Sequence, residues 1–500
     1  MTGAVKTEAK RKAAAFASRP FLCLVLLLAV DQFVLVDDPA ERTVVSWLGI
    51  AAGAIPLASL LFSPLALGQR LARFVLAPTA VWLALHGALQ LYLRHAFGMF
   101  LDGDWIGILR ASSLAEIRFF LADFGLVGFC GLFAAVFAAG FCGVDVFRGL
   151  RNLERAGSCR LRTVGLFSLL AFAVCSPFFG GPFALCEKLG AVGFVTDSIR
   201  CARLYERLEE IAKSPRFQQP PEMGDDMRDV AGVFVLGESS ARSHWSLYGY
   251  GRDTTAPLDA MAGELIVFSN VTAAASETSA AMRKMFVADG YTLTQLFAAS
   301  GARTALISNH ERWGQWGGIE SYVFAGAKQV FLQEEGLAVP CYDDALLPYL
   351  RRELEAANGG SSLTVLHLIG SHCPPSRRYP RSAAAYVPEP LPGAFARWRL
   401  RDQLNHYDNT IRFTAKTLAD AIAALKARGG AAYLIFVSDH GESPDSDRWR
   451  DVRSRDVWEV PALIWLSREY IARFPEKVCR FRDLAARPLT AAEFSWLTAN

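Results

Sequence analysis

Acidic and imidazole side chains stand directly after two apolar runs, where they could bind a metal ion. Glu238 follows Val233–Leu236, and Asp439 and His440 follow Leu434–Val437. Zinc accepts carboxylate and imidazole donors, and in open α/β sheets ligands bind at the carboxyl ends of the strands. The pattern therefore predicts one metal site at the edge of a sheet. For Glu238 taken alone, a helix cap or a surface ion pair is the alternative.

A hydroxyl nucleophile could act beside such a metal, and Thr278 is the candidate. It lies in Ser276–Ala281, a run of small residues that suits a tight turn or a helix start. A hydroxyl is too weak an acid to attack at neutral pH, but a metal lowers its pKa, and a helix N-terminus helps to hold a phosphate. Spacing alone leaves Ser239, Ser276 and Ser279 as competing nucleophiles.

The residues after Ala231 alternate between short apolar runs and helical patterns, which predicts a mostly parallel sheet covered by helices. The predicted strands are Val233–Leu236, Leu265–Phe268, Thr304–Ile307, Leu363–Leu368 and Ala432–Val437. The predicted helices are Tyr291–Ala299, Asp344–Ala356 and Asp408–Lys426. This sheet is the element that must position the site residues.

The composition of the whole chain favours an integral membrane protein. Of its 500 residues, 52% are hydrophobic and only 20% are charged, which is fewer charges than a soluble protein usually carries. No basic patch with interleaved aromatic residues argues for nucleic acid as a partner. The ten cysteines form no C-x-x-C pair, which argues against a thiolate zinc site.

Five apolar segments before residue 190 could cross a bilayer, which takes about 20 residues. They are Pro20–Val36, Val44–Gln69, Phe74–Leu93, Phe124–Val144 and Thr163–Cys186. The first could be a signal peptide, but no small-residue cleavage site follows it, so we expect a retained anchor. Asp104–Leu121 is predicted to be an amphipathic helix at the membrane interface, or else a plain connector.

Lysine and arginine are concentrated in alternate loops between these segments. The N-terminus, the loop with Arg70 and Arg73, and the loop from Arg148 to Arg162 are basic. Basic loops of this kind stay in the cytoplasm. Five spans then place everything after Cys186 outside the cytoplasm.

Asp31 and His86 lie within predicted spans, where an ionisable group is a functional candidate. A transporter is therefore one alternative. The apolar segments show no internal repeat of the transporter kind. The simpler interpretation is that Asp31 lies near the outer end of its span and that His86 pairs inside the helix bundle.

Six motifs follow one another in the second half of the chain. They are GES-x2-R-x3-SLYGY within Gly237–Thr255, FSNVT at Phe268–Thr272, CYDDALLPYL at Cys341–Leu350, HLIGSH-x-P at His367–Pro374, YDNTIRFT at Tyr407–Thr414 and SDHGE at Ser438–Glu442. In this order they resemble the membrane-bound phosphoethanolamine transferases of the alkaline-phosphatase/sulfatase superfamily. The resemblance implies an N-terminal α-helical membrane domain with five spans and a C-terminal α/β sulfatase-like domain.

The resemblance also implies roles for individual residues. It makes Thr278 the nucleophile, and it assigns zinc to Glu238, Thr278, Asp439 and His440. His372, in the GSH motif, is expected to contact the phosphoryl group or to assist proton transfer.

Other positions match less closely. Asn309 and His310 lie in a segment that resembles the pocket on the ethanolamine side. Relatives carry another histidine after DHGE, but Arg453–Trp458 holds none, and Asp456 stands near its place. This departure leaves a second metal and the proton chemistry of the acceptor step open. Relatives usually continue through a further helix beyond the position of Asn500, so we expect a truncated C-terminus.

The resemblance implies a reaction and a location. Phosphoethanolamine would pass from phosphatidylethanolamine to lipid A, lipopolysaccharide core or a periplasmic glycan, through a covalent intermediate on threonine. A phosphoglycerol transferase, a phosphodiesterase or sulfatase-type hydrolase, and a catalytically silent membrane protein are the alternatives. The predicted parts are a membrane domain over 1–190, a linker with an interfacial helix over 191–230, and a periplasmic catalytic domain over 231–500, held at the bacterial inner membrane.

Overall fold

The computed structural model describes residues 59, 63–97, 133–152, 160–175, 177, 190–215, 228–311, 319–333, 341–387, 400–444, 452–497 and 499. The chain divides into two compact units at Ala202/Arg203. The helices are α1 Gln69–Phe97, α2 Phe133–Asn152, α3 Arg160–Cys175, α4 Gly190–Lys213, α5 Ala256–Asp259, α6 Thr278–Phe286, α7 Leu293–Ala299, α8 Ile319–Val323, α9 Leu347–Ala356, α10 Leu400–Arg428, α11 Arg455–Trp458, α12 Arg468–Arg473, α13 Pro475–Leu484 and α14 Ala491–Ser495. The strands are β1 Ala231–Gly237, β2 Leu265–Phe268, β3 Val271–Thr272, β4 Val287–Ala288, β5 Tyr291–Thr292, β6 Arg303–Glu311, β7 Lys328–Gln333, β8 Ser362–His367, β9 Ala432–Ser438, β10 Ala462–Leu466 and β11 Leu489–Thr490.

The first unit contains two described helices that are long and apolar enough to cross a membrane. They are Arg70–Gln90 within α1 and Phe133–Asn152, and they overlap the third and fourth predicted spans. Arg162–Val174, in the fifth, is apolar but shorter. The predicted segments Pro20–Val36 and Asp104–Leu121 lie outside the described residues, so the five spans stay a prediction.

The end of the second predicted span is not α-helical. Ser63–Leu67 is a 3-10 helix, and Gly68 follows in the left-handed region with φ of 110°, which separates this turn from α1. On α2, Phe133, Phe137 and Phe141 remain largely exposed. Their spacing of four residues places them on one helix face, an apolar stripe of the kind that lipid would cover.

The second unit is built on a seven-stranded sheet in the order β2-β10-β9-β1-β8-β6-β7. Strands β9, β1, β8, β6 and β7 run parallel, and β10 is antiparallel to both of its neighbours. Every residue of β1, β8 and β9 is buried, as expected of strands covered on both faces. The structure confirms the predicted α/β fold with its mostly parallel sheet.

Alternate residues of β1 enter two separate cores. Phe234 and Leu236 pack with α6 and α12 to α14 on one face. Val233 and Val235 pack with α9 and α10 on the other. This alternation follows from the two-residue period of a strand, and it makes β1 the centre of the unit.

The predicted elements agree with the structure except at a few ends. Strand β2 has the predicted bounds, while α10 begins earlier, at Leu400. Tyr291 and Thr292 form β5 rather than helix, because Thr292 makes a capping box that starts α7 at Leu293. The predicted helix Asp344–Ala356 opens with a 3-10 turn, and α9 starts at Leu347. Strands β7 and β10 were not predicted, although Ala462–Leu466 is a continuous apolar run.

Candidate active site and metal centre

Two adjacent strands bring the predicted acidic residues together. β1 and β9 run parallel, with Gly237 opposite Ser438. Glu238 and Asp439 therefore leave the same edge of the sheet side by side, although they are 201 residues apart in sequence. Ser239, the next residue, has a φ of 57°, a conformation that costs energy in a non-glycine residue and clusters at functional sites.

Glu238, Asp439 and His440 form a buried cluster. One donor atom from each lies within 4.8 Å of the other two, and all three side chains are buried. Oδ1 of Asp439 accepts from the backbone nitrogens of Ser239 (3.0 Å) and His440 (2.7 Å). Its Oδ2 is buried and has no hydrogen-bond donor within the described parts of the chain.

The ring of His440 is turned so that one nitrogen faces both carboxylates. Nδ1 lies 2.9 Å from the carbonyl oxygen of Gly441, and it can make that bond only as a donor, so the neutral ring carries its lone pair on Nε2. Nε2 is 3.4 Å from Asp439 Oδ2 and 3.7 Å from Glu238 Oε1. Buried acceptors that face one another are costly unless a cation lies between them. Two carboxylates and an imidazole are donors that zinc accepts, so this set fits that ion.

The hydroxyl of Thr278 reaches the same cluster. Oγ1 is 3.1 Å from Glu238 Oε2 and 3.3 Å from His440 Nε2. Among the competing hydroxyls, that of Ser239 donates to Glu238 Oε1 at 2.6 Å, so it is already committed. The structure thus brings the four predicted residues together, with the threonine oxygen beside the carboxylate and imidazole donors.

Thr278 is the first residue of α6, but this helix end is already capped. The carboxylate of Glu277 accepts from the backbone nitrogens of Ser279 (2.8 Å) and Ala280. Those two amides are therefore engaged and are not available to hold a phosphate. The sequence pattern had suggested that the helix N-terminus would hold one. What the cap provides instead is a fixed position for Thr278 at the start of the helix.

The chain is similar in sequence to known proteins. Residues 232–478 match the Sulfatase family, and this range includes Glu238, Thr278, Asp439 and His440. Phosphoethanolamine transferase EptC of Escherichia coli (strain K12) is 28% identical over 296 residues, which cover 53% of this chain and 50% of that protein. EptA of the same strain, also a phosphoethanolamine transferase, is 24% identical over 434 residues, which cover 79% of this chain and 77% of that protein. The chain therefore contains a Sulfatase-family domain, and it resembles phosphoethanolamine transferases in sequence.

One solved phosphoethanolamine transferase has a similar fold. The integral membrane protein lipooligosaccharide phosphoethanolamine transferase A (EptA) from Neisseria meningitidis has a TM-score of 0.60 and 17% identity, covering 96% of this chain and 94% of that one. The chain spans about half the length of several curated relatives that it matches, EptC among them.

The loop that carries the GSH motif follows β8 and packs against Glu238. The backbone nitrogen of Ser371 donates to the carbonyl oxygen of Glu238 at 3.0 Å. A Cβ on Gly370 would lie 2.7 Å from that same oxygen, and Gly370 has a φ of 47°, so only glycine fits this close approach. The loop therefore carries the half-buried His372 to the edge of the sheet that holds the metal cluster.

Arg378 holds the backbone around His372. Its Nε donates to the carbonyl oxygen of His372 and its Nη2 to that of Cys373, both at 2.8 Å. Nη2 also lies 3.2 Å from His372 Nδ1. Sequence reasoning missed Arg378, because nothing in its local pattern tells which backbone it contacts.

Asn309 supports the site from behind. Its Nδ2 donates to Asp343 Oδ1 at 2.8 Å, and Asp343 also accepts from the backbone nitrogens of Ile369 and Gly370. Burial raises the pKa of Asp343, although these hydrogen bonds oppose the shift. Asn309 is fully buried, and through Asp343 it braces the loop that leads to His372; its place in a substrate pocket stays a prediction.

Asp456 stands beside the DHGE segment at the start of α11. Its side chain accepts from Ser243 Oγ (2.6 Å) and Ser454 Oγ (3.2 Å). Its backbone carbonyl oxygen occupies the space that a Cβ on Gly441 would need. Asp456 is not among the described residues that cluster around a common metal position. Its carboxylate binds the two serine hydroxyls instead.

His310 was predicted from the sequence, but its neighbours were not. Its ring stacks on that of His367, with centroids 4.0 Å apart and planes 6° from parallel. The ring of His372 meets that of His310 edge to face, with centroids 6.0 Å apart. Glu320, from α8, lies 3.5 Å from His367 Nδ1. His367 lies in the HLIGSH motif, so the sequence could have indicated it as a site residue. Glu320 lies in none of the six motifs, so the sequence could not.

Proposed function

We propose that this protein transfers phosphoethanolamine from phosphatidylethanolamine to an acceptor in the outer envelope, such as lipid A, lipopolysaccharide core or a periplasmic glycan. The observation that carries the proposal is the approach of the Thr278 hydroxyl to Glu238 and His440 at 3.1 and 3.3 Å. A hydroxyl held between a carboxylate and an imidazole suits covalent catalysis on phosphorus. The similarity to phosphoethanolamine transferases supports the same reaction.

Glu238, Thr278, Asp439 and His440 would hold a zinc ion. Such an ion lowers the pKa of a bound hydroxyl and neutralises negative charge on a phosphoryl group. The two carboxylates are oriented before binding, since backbone amides hold Asp439 and the hydroxyl of Ser239 holds Glu238. The chain therefore supplies a preformed donor set.

The first half-reaction would attach phosphoethanolamine to Thr278. The Thr278 hydroxyl gives up its proton and its oxygen attacks phosphorus, the bond from phosphorus to the diacylglycerol oxygen breaks, and that oxygen takes up a proton as diacylglycerol leaves. In the second half-reaction an acceptor hydroxyl or phosphate attacks the same phosphorus and the Thr278 oxygen leaves. His372, carried by the loop after β8, would contact the phosphoryl group or move the proton.

The proposed location is the bacterial inner membrane, with the catalytic unit in the periplasm. Basic loops on one side of the apolar segments support this orientation. Apolar helices α1 and α2 support attachment to a membrane. A periplasmic site would also have access to both a lipid donor and envelope acceptors.

The direct test is mass spectrometry of envelope lipids and glycans from cells with and without the protein. We expect phosphoethanolamine on one acceptor class only when the wild-type chain is present. A glycerol phosphate adduct instead would favour the phosphoglycerol transferase alternative. Hydrolysis of a phosphatidylethanolamine analogue to free phosphoethanolamine, with no adduct on any acceptor, would favour the phosphodiesterase.

A further inference from the structure

The YDNT segment of α10, Tyr407–Thr410, takes no direct part in the proposed reaction. It lies near the start of the long helix Leu400–Arg428, and all four of its side chains are buried. Buried polar side chains are hydrogen-bonded, so the partners of this segment show which parts of the molecule it holds. The bonds made by Tyr407 and Thr410 lead to the chain around Glu238.

The phenol of Tyr407 bridges two backbone groups just after Glu238. Its hydroxyl donates to the carbonyl oxygen of Ser239 at 2.8 Å and accepts from the backbone nitrogen of Ala241 at 2.7 Å. A phenol can make both bonds at once, because it carries one proton and an acceptor oxygen. The side chain is 0% exposed, so bulk water does not compete for either bond. Tyr407 therefore fixes the course of the chain from Ser239 to Ala241.

Ser239, which this phenol holds, orients both carboxylates of the metal cluster. Its backbone nitrogen donates to Asp439 Oδ1 at 3.0 Å, and its hydroxyl donates to Glu238 Oε1 at 2.6 Å. A φ of 57° is unfavourable in a residue with a side chain, and such a conformation persists only where the surrounding contacts hold it firmly. Of the three hydrogen bonds on Ser239 named so far, only the one from Tyr407 comes from outside the metal cluster.

Thr410 reaches the peptide group of Glu238 by a second route. Its hydroxyl donates to the carbonyl oxygen of Tyr407 at 2.6 Å and lies 2.7 Å from Ser371 Oγ. The single proton of Thr410 is used in the first bond, so Ser371 donates in the second. The backbone nitrogen of Ser371 in turn donates to the carbonyl oxygen of Glu238 at 3.0 Å. The carbonyl groups of Glu238 and Ser239 are therefore both held from α10.

We propose that Tyr407 is a positioning residue for the metal centre, which it affects through Ser239 and hence through Glu238 and Asp439. The apolar face of α10 packs into the core beside β1, so the helix gives the segment after β1 a fixed support. Without the phenol hydroxyl, Ser239 relaxes from its strained conformation and both carboxylates turn with it. The inference rests on the proposed function, because it concerns the metal-binding residues of that reaction.

The test is Tyr407→Phe in the full chain in detergent, a change that removes one hydroxyl and keeps the ring. We expect zinc affinity, measured by competition with a chelating dye, to fall about tenfold, the lower end of the loss that follows removal of an outer partner of a metal ligand. The transfer rate at saturating donor should fall by a similar factor with KM unchanged, since no contact with the donor is altered. Thr410→Val should weaken zinc binding in the same direction, but by less, because it acts through Ser371.

Tyr248→Phe is the matched control. The hydroxyl of Tyr248 also bridges two backbone groups, since it donates to the carbonyl oxygen of Ala462 at 2.8 Å and accepts from the backbone nitrogen of Ala462 at 2.9 Å. Ala462 lies on β10, which carries none of the residues of the metal cluster. Tyr248→Phe should therefore lower the melting temperature about as much as Tyr407→Phe, and leave zinc affinity and transfer rate unchanged.

Unchanged zinc affinity in Tyr407→Phe would overturn the inference. Equal losses of affinity in the Tyr248 and Tyr407 variants would also overturn it, because they would show a general effect of stability. If Tyr407→Phe does not fold, the comparison of Thr410→Val with Tyr248→Phe decides the question in the same way.

Zinc affinity does not depend on which group is transferred, so this measurement decides the inference even where the wild type transfers no phosphoethanolamine. That result would refute the proposed reaction alone. A wild-type chain that binds no zinc would refute the proposed metal site and, with it, the positioning role of Tyr407.

Discussion

At the scale of single residues, the site depends on the directions in which a few donors and acceptors point. The tautomer of His440 and the amides on Asp439 leave Nε2 and Oδ2 facing Glu238. Thr278 contributes a hydroxyl to this group of acceptors. A change at any of these atoms alters the chemistry without altering the sheet that carries them.

Replacing the proposed nucleophile should separate chemistry from metal binding. We expect Thr278→Ala to reduce phosphoethanolamine transfer by at least about a thousandfold, because no other hydroxyl takes the place of a lost nucleophile. Zinc content should be unchanged, since both carboxylates and the imidazole remain. The measurements are the transfer rate and mass mapping of the trapped intermediate. Modification of Ser239, Ser276 or Ser279 in the wild type would show that the assignment is wrong.

Arg378 offers a test of how precisely His372 must be held. Arg378→Met removes two hydrogen bonds to the backbone at His372 and Cys373. A displacement near 1 Å can cost about a hundredfold in rate, so we expect a loss of that order, with zinc content unchanged. Arg377→Met is the control, because Arg377 is exposed and adjacent. Equal losses in both variants would contradict a specific role for Arg378.

At the scale of elements, the start of α6 fixes the nucleophile. Glu277 caps the helix by accepting from two backbone amides, and loss of such a cap usually costs about 0.5–2 kcal/mol. We expect Glu277→Ala to lower the free energy of unfolding by this amount and also to slow transfer, because Thr278 is the next residue. Glu277→Gln keeps one acceptor oxygen, so its free energy of unfolding and its transfer rate should lie between those of the wild type and Glu277→Ala. Full activity in Glu277→Ala would show that the cap does not position Thr278.

Helix α9 is tied to strands β6 and β7 through one buried carboxylate. Glu353 accepts from Lys328 (2.6 Å) and Arg303 (3.0 Å). Burial alone would raise the pKa of Glu353, but the hydrogen bonds from these two side chains outweigh it, and the pKa is lowered. The resulting stabilisation is present above the unfolded-state pKa of about 4.3 and disappears as the pH falls through the lower folded-state value.

Glu353→Gln should therefore destabilise the protein at pH 7 but not in acid. Hydrogen bonds to charged groups contribute about 1.5–3 kcal/mol each, and we expect a loss of about 1–3 kcal/mol at pH 7 because both donors are partly exposed. Unfolding measured at pH 7 and below the lowered pKa checks this. Glu355→Gln, an exposed change on the same helix, should have little effect at either pH. A pH-independent loss would exclude the ionic contribution.

At the scale of the whole molecule, the distribution of arginine and lysine predicts on which side of the membrane the unit with the seven-stranded sheet lies. We expect a periplasm-active reporter fused after Lys213 to be active and a cytoplasm-active one at the same point to be inactive. The physical reason is that basic loops are retained on the cytoplasmic side. The opposite pattern of reporter activity would refute the predicted orientation and, with it, access to envelope acceptors.

The sequence by itself determined the local elements and the types of residue in the site. The buried strands were visible as apolar runs, because a strand covered on both faces must be apolar throughout. The strand-end positions of Glu238, Asp439 and His440 were visible for the same reason. Half-exposed β7 left no such run, since only alternate residues of an edge strand need be apolar.

Only the tertiary structure decided which of these residues meet and what each side chain does. The order of strands in the sheet differs from their order in the chain. Because β9, β1, β8 and β6 are neighbours in the sheet, Glu238 lies between His440 and His367. Asn309 turned out to brace Asp343, and Glu277 took the amides that a phosphate might otherwise use. Hydrogen-bond partners depend on packing between elements distant in sequence, and no local pattern carries that information.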